Sequence, residues 1–409
     1  LNAPTLANMT YFTTIGITLM KPLGLYLHLP FCIHKCAYCD FVSYSGRQAN
    51  IPRYVEAVAR ELLWYRDRGL FDEYEINTIY VGGGTPSLAV QSLALFFEQF
   101  RETLFANAEE MTVEVNPGTI GLAGLRLLYQ AGCRRLSIGV QSFHEHELRA
   151  LGRIHSVREA ELCIEAARTA GFVNLSLDVM FGIPGSTPAS WEETIQRTLA
   201  FLPEHVSAYN LTIEEGTLFW QQQQSGELLL PDDDTQVSMY DMAIKMLTAA
   251  GYDHYEISNF ARPGHRSQHN QMYWRNEEYL GLGAAAYSYL NGCRYWNEAS
   301  LDGYLSAVNS TGDTHADKEM HPPAVAGQEI LNVEATMGET LMMCLRLCEG
   351  VKLAWFQQRF GQALDRMYAP QIARLTADGL LEATSTYLRL THRGLLFAND
   401  VLQEFLANP

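Results

Sequence analysis

From about residue 22 the chain alternates short β-rich runs with amphipathic stretches, and this alternation limits the fold more than any other feature. The strand-like runs are LYLHL (25–29), TIYV (78–81), MTVEV (111–115), RLSIGV (135–140), NLSLDVM (174–180) and HVSAYNLTI (205–213). Helical patterns lie between them, near 52–68, 87–104, 119–130, 156–170, 187–201 and 234–250. The helix near 156 opens with a capping box, Ser156 followed by Glu159. Strand-then-helix repetition predicts a parallel sheet with right-handed crossovers. Six such units predict an α/β fold, a partial (β/α)6 TIM-like barrel, with a doubly wound sheet as the alternative.

The unusual residues recur at one place in each unit, at or just after the end of a strand. They are a cysteine loop after the first, Gly82-Gly83-Gly84-Thr85-Pro86 after the second, Glu114 in the third, Gln141 after the fourth, Asp178 in the fifth and Tyr209 in the sixth. The carboxyl ends of parallel strands form one ligand-binding mouth, so these motifs are expected to share a site. The chain divides into an N-terminal extension (1–21), a barrel core (22–251), an aromatic-rich extension (252–324) and a mainly helical, winged-helix-like domain (325–409). In the last of these, 365–381 reads as an amphipathic helix, YLRLT (387–391) as a strand and 393–406 as a final helix, with a polar linker near 309–328 preceding them.

Formal net charge is −17 over 409 residues, which disfavours a nucleic-acid partner. No apolar run is long enough to span a membrane, and residues 1–21 lack the basic start of an export signal. The 8 cysteines are too sparse for a disulfide scaffold and predict a reducing, cytoplasmic setting. Cys344 and Cys348 share an apolar helix face and read as buried hydrophobes, while Asp232-Asp233-Asp234 reads as a helix start.

Three cysteines, Cys32, Cys36 and Cys39, fall in FCIHKCAYCDF (31–41). With C-x3-C-x2-C spacing, each thiolate can reach a different iron of a 4Fe–4S cluster. The next residue is Asp40, so the fourth iron is left to a small molecule. A zinc site that adds His34 is the competing arrangement. GGGTPS (82–87) lacks the Lys-Ser/Thr of a phosphate loop and lets backbone approach a ligand closely. Glu114 and Asp178 are inward carboxylates or buried structural acids; Gln141 and Arg153 suit hydroxyls and a carboxylate.

The cysteine spacing resembles the signature of radical S-adenosylmethionine (SAM) enzymes, in which SAM is the fourth cluster ligand and is cleaved to a 5′-deoxyadenosyl radical. LYLHLPFC, GGGTPS, VEVNPG, IGVQSF, LGRIH and LDVMFGIPG occur in the order of the oxygen-independent coproporphyrinogen III oxidase-like family, over about residues 22–400. This resemblance implies a 4Fe–4S cluster on Cys32, Cys36 and Cys39. It also implies a SAM site of Tyr26, Tyr38, Gly83, Gly84, Thr85, Glu114, Gln141, Arg153 and Asp178.

Within that family the decarboxylating oxidase resembles C-x3-C-x2-C-x-C, and the last of those positions is Phe41 here. That departure, and a short N-terminal segment, resemble the haem-chaperone branch. So does HNQMYW (269–274), which implies haem contacts from His269, Asn270, Tyr273 and Trp274, with His265 as a substitute ligand. The expected partners are haem-accepting proteins and an electron donor, with a homodimer as an option. Whether the fold also turns over a substrate, as the oxidase does, stays open from sequence.

Overall fold

A computed structural model describes residues 20–309 and 321–406. The 1–21 extension falls almost wholly outside the described residues, as does part of the 309–328 linker. The first six strands of the main sheet are β1 (Lys21–Leu29), β2 (Tyr74–Gly83), β3 (Glu110–Val115), β4 (Arg135–Gln141), β5 (Asn174–Phe181) and β6 (His205–Asn210). They pair in chain order, each parallel to the next. The predicted α/β architecture, with its six-unit core, is therefore what the chain adopts.

Apolar and polar residues alternate along every strand, and the alternation explains the layers. Leu25, Leu27, Val113, Ile138, Leu177 and Val206 face outward and are at most 1% exposed, packed beneath the helices. The outer layer includes α1 (Ile51–Asp67), α2 (Val90–Phe100), α3 (Leu122–Gln130), α4 (Val157–Ala170), α5 (Pro188–Ala200) and α6 (Asp233–Ala249). The Ser156–Glu159 capping box forms at the start of α4, and Gly171 ends that helix with φ 109°. Asp232 caps α6 by accepting from Thr235 N, as its helix-start reading expects.

Residues 252–330 add strands to both ends of this sheet, so the edge strand at 325–330 comes from what the sequence reading placed in the C-terminal domain. β7 (Asp253–Glu256) and β8 (Asn259–Ala261) form an antiparallel pair, with β8 against β6. On the other side β9 (Tyr279–Leu282) lies parallel to β1, followed by antiparallel β10 (Tyr287–Leu290), β11 (Cys293–Asn297) and β12 (Val325–Ile330). The resulting 12-stranded sheet is ordered β12-β11-β10-β9-β1-β2-β3-β4-β5-β6-β8-β7. Between β8 and β9 runs a two-turn helix, α7 (Gln268–Trp274), which carries the whole HNQMYW motif.

A second apolar core gathers Leu341, Phe356, Tyr368, Leu388 and Val401 around helices and a 3-stranded sheet. This is the winged-helix-like pattern, though its long helices are broken: 365–381 becomes Leu364–Met367 and Ala369–Ala377, and 393–406 becomes His392–Leu396 and Ala398–Gln403. Pro370 follows the first break, where it occupies an early helical position without needing an N–H partner. Cys344 is buried as expected, but the helix ends there, so Cys348 lies in the following turn, half-buried, and the two share no helix face.

Candidate functional site

The carboxyl ends of the parallel strands open on a cavity of about 520 Å³, within the range of small-molecule sites. Its walls include Cys32, Cys36, Cys39, Tyr38, Gly83, Gly84, Thr85, Glu114, Gln141, Arg153, Asp178, Tyr209 and Asn270. One mouth thus gathers the separate sequence motifs. Tyr26, His269, Tyr273 and Trp274 do not reach its wall, and neither does His265.

The cysteine loop is pinned from several sides by backbone bonds. Ala37 N donates to Leu151 O at 3.2 Å, and Phe219 N donates to Ala37 O at 3.0 Å. Gln48 Nε2 donates to Cys32 O at 2.6 Å. The glycine turn then packs onto the loop: a Cβ on Gly84 would sit 2.7 Å from Phe31 O and 3.0 Å from Cys32 Sγ. Gly83, at φ 110°, presses its backbone onto the His28 ring. Thr85 Oγ1 lies 3.6 Å from Cys32 Sγ, and Arg153 Nη1 lies 3.6 Å from Cys36 Sγ. Burial, above all, pushes the Cys39 thiol up to about 11. A bound cationic metal centre supplies the charge that a buried thiolate needs. Among the described residues no three metal-ligating side chains converge as a single ion requires. A cubane spreads three thiolates over three irons, which the C-x3-C-x2-C spacing of Cys32, Cys36 and Cys39 suits.

Two carboxylates stand on the inner face, and each has its own donors. Tyr80 OH donates to Glu114 Oε1 at 2.9 Å. Ser137 Oγ contacts both Asp178 oxygens, at 3.1 and 2.9 Å, and Ser176 Oγ donates to Oδ1 at 3.1 Å. Burial raises both acids, and the Asp178 charge adds to the effect on Glu114, whose carboxyl is pushed up to about 7. Arg153 donates through Nη2 to Asn116 Oδ1 at 2.7 Å and to Gly139 O at 3.1 Å, while its buried Nε has no partner. Arg135, 2% exposed, lines the lower cavity and also keeps an unpartnered Nε. Gln141 takes φ 66°, a strained conformation outside glycine, at a bulge that swings the end of β4 toward the mouth.

Tyr26 stands behind this wall. Its hydroxyl bonds His28 Nδ1 at 2.9 Å, and His28 Nε2 bonds Val42 O at 2.8 Å. A carbonyl accepts only, so His28 is protonated on Nε2 and Tyr26 is the donor to Nδ1. The Tyr26 ring stacks on Tyr80 at 6.4 Å between centroids.

The HNQMYW motif lies lower, against the middle of β2 and the amino-terminal end of β3. His269 is 0% exposed, and both its ring nitrogens are engaged: Nδ1 with Thr78 Oγ1 at 2.8 Å and Nε2 with Tyr273 OH at 2.9 Å. Burial, reinforced by the Arg135 charge, holds its pKa down to about 3, so the ring is neutral. Trp274 turns the other way, packing on Tyr255, Ala261 and Leu347 under the Arg346 guanidinium. Asn270 alone of the four faces the cavity.

Sequence reasoning passed over Tyr80, Arg135, Ser137, Ser176 and Ser207. The signal was present as a period of two: Arg135, Ser137 and Gly139 on β4, and Ser176 and Asp178 on β5, form polar rows interleaved with buried Leu, Ile and Val. A polar inner row in a parallel sheet marks an interior that takes a ligand.

Residues 26–198 match the Radical SAM superfamily, and residues 331–397 match the HemN C-terminal domain. The chain is 34% identical to heme chaperone HemW of Bacillus subtilis, across 93% of this chain and 98% of that one. It is 35% identical to heme chaperone HemW of Escherichia coli, across 95% and 99%. It is also 38% identical to a mitochondrial radical S-adenosyl methionine domain-containing protein 1 of Danio rerio, across 94% and 86%. Among solved structures, coproporphyrinogen III oxidase (HemN) of Escherichia coli superposes with a TM-score of 0.79 at 24% identity, covering 95% of this chain and 91% of that one, a likeness of fold.

Proposed function

The chain belongs to the radical SAM family, among relatives named heme chaperone HemW, and on that premise we propose that it binds a 4Fe–4S cluster, SAM and haem and delivers haem to acceptor proteins. The observation that carries the reading is joint. The chain aligns almost end to end with the HemW proteins, and one cavity gathers three free thiols, a glycine turn, Arg153 and two half-buried carboxylates. Cys32, Cys36 and Cys39 would hold the cluster. When bound, cluster and SAM supply one-electron chemistry.

The chain's own residues would then divide the binding work. Gly83, Gly84 and Thr85 offer close backbone approach, and Arg153 with its unpartnered Nε offers a fixed cation for a carboxylate. Glu114, Asp178 and Gln141 offer acceptors and an amide for amine and hydroxyl groups, with Tyr38 closing one side and Tyr26 bracing Tyr80 from behind. Haem would meet Asn270 within the cavity. His269, Tyr273 and Trp274 would touch it only after α7 moved, since their rings are committed elsewhere.

An electron donor and a homodimer belong to the same reading. Nucleic acid does not, given a net charge of −17. Among the described residues no helix is long and apolar enough to cross a membrane, and eight free cysteines suit a cytoplasmic setting.

The deciding experiment reconstitutes the cluster anaerobically, then adds SAM and reductant with coproporphyrinogen III in one arm and haem in the other. Haem binding and transfer to an apo-acceptor, without decarboxylated product, is the expected result. Rapid formation of protoporphyrinogen would replace the chaperone reading with the oxidase.

A further inference from the structure

HNQMYW is placed where it could serve the cavity without entering it. The amino terminus of α7 is held by the buried carboxylate of Glu110: Gln268 N donates at 3.0 Å, His269 N at 3.1 Å and Ser267 Oγ at 3.4 Å. From this anchored segment two paths lead up to the two cavity acids.

The first path is a stack. The His269 ring lies 5.4 Å from the Tyr80 ring at an interplanar angle of 23°, and Tyr80 OH donates to Glu114. Thr78 and Tyr273 grip the imidazole at both nitrogens, so it cannot rotate away from Tyr80.

The second path is a directed chain of hydrogen bonds. Ser267 N donates to Tyr255 OH at 3.4 Å, and Tyr255 OH contacts His205 Nε2 at 2.8 Å. His205 Nδ1 contacts Ser176 Oγ at 2.8 Å, and Ser176 Oγ donates to Asp178 Oδ1 at 3.1 Å. Because the Ser176 proton is spent on Asp178, His205 must donate from Nδ1 and accept from Tyr255 at Nε2. Each link therefore has one polarity, ending on the carboxylate.

We infer that Ser267–Trp274 braces the cavity from beneath, reaching it only through Asn270, and that His269 and His205 are positioning residues, which set Glu114 through Tyr80 and Asp178 through Ser176. The inference rests on the reading that this cavity binds SAM, and it gives the motif a role in cofactor geometry instead of iron ligation. Its mutational effects should appear first in SAM affinity.

The test measures SAM binding by calorimetry on the reconstituted full chain, with haem titration and thermal midpoint in parallel. His269→Ala and Tyr255→Phe should each weaken SAM by about 5-fold, one neutral hydrogen bond or ring contact being worth that much. Haem affinity measured without SAM should stay within about 2-fold. His269→Phe, which keeps a ring against Tyr80, should recover most of the SAM affinity lost in His269→Ala. The Tyr80→Phe/His269→Ala double variant should bind SAM no more weakly than the weaker single variant, because both act through one path.

Loss of the haem complex in His269→Ala with SAM affinity unchanged would overturn the inference and make the histidine a ligand. Additive losses in the double variant, or a lowered thermal midpoint with SAM affinity intact, would reduce the motif to packing. Should His269→Ala fail to fold, His269→Phe and Tyr255→Phe decide by the same readouts. A wild-type chain that binds no SAM overturns the functional reading itself; a wild type that binds it alongside unaffected variants overturns only this inference.

Discussion

Glu114 shows how burial sets a titration. Desolvation and the neighbouring Asp178 charge lift its carboxyl to about 7 against an ordinary 4.5, more than Tyr80 and the Gly83 backbone lower it. The folded chain then holds this proton more tightly than the unfolded chain does. The stability it contributes is complete below about 4.5 and is lost as pH rises through about 7. The thermal midpoint of the apo wild type should accordingly fall relative to Glu114→Gln as pH is raised across that window. Glu61, also pushed up to about 7 by burial, slopes both proteins alike and cancels in the difference. A flat difference between the two proteins would show Glu114 titrating as an ordinary exposed acid. Gly84 gives a second residue-scale outcome. Gly84→Ala drives a methyl to 2.7 Å from Phe31 O, so the cysteine loop must shift. Iron and sulfide per chain after reconstitution should fall below wild type, because ligands displaced by more than about 0.5 Å no longer hold a site in working geometry.

Helix termini and loop ties act at the scale of elements. The Ser156 capping box satisfies two orphan amides at the start of α4, and Ser156→Ala should cost about 1 kcal/mol in denaturant unfolding with SAM affinity unchanged. A larger tie joins α1 to the segment after β9. Glu61, 2% exposed, accepts from Gly283 N at 2.9 Å, from Tyr304 OH at 2.6 Å and from Asn297 Nδ2 at 2.6 Å. With donors on both oxygens, even Glu61→Gln points an amide N–H at a donor. Destabilisation of about 1–3 kcal/mol by urea unfolding is expected, although the side chains are isosteric. α7 belongs at this scale too: seven residues are too few to persist alone, so its geometry is borrowed from Glu110 and β2.

Over the whole molecule, the C-terminal unit is docked by polar contacts to the segments around α7. Arg346 pairs with the buried Glu256 at 3.0 Å, while Arg359 donates to the carbonyls of Arg275 at 2.8 Å and Asn276 at 2.6 Å. Arg346→Ala takes the counter-charge from a carboxylate that is 1% exposed, leaving donors from Ser258 N and Asn259 Nδ2 on one oxygen only, and removes the cation above Trp274. A loss of about 2 kcal/mol or more is expected, together with faster limited proteolysis of residues 331–406 than of the barrel. Equal protection of both parts would indicate that the second core holds without this contact. The unit also lies against the segment that carries α7, so a loosened dock should be felt beneath the cavity, through Tyr80 and Asn270.

How much of this was legible depends on the range over which each interaction acts. Strand and helix positions in 22–251, the parallel order of six strands and the clustering of motifs at one mouth follow from local periodicity and chain connectivity, which a linear sequence carries in full. The helices of 364–406 were read as longer than they are, because the turns at Tyr368 and Phe397 bend the chain around a compact core that periodicity does not register. Sequence alone established a chain of strand–helix units with three closely spaced thiols at the mouth of the first. Only the tertiary structure decided which way His269 faces. Its environment is made by Thr78, Tyr80 and Arg135, distant in the chain, and a side chain's orientation depends on which neighbours satisfy its polar atoms once water is excluded.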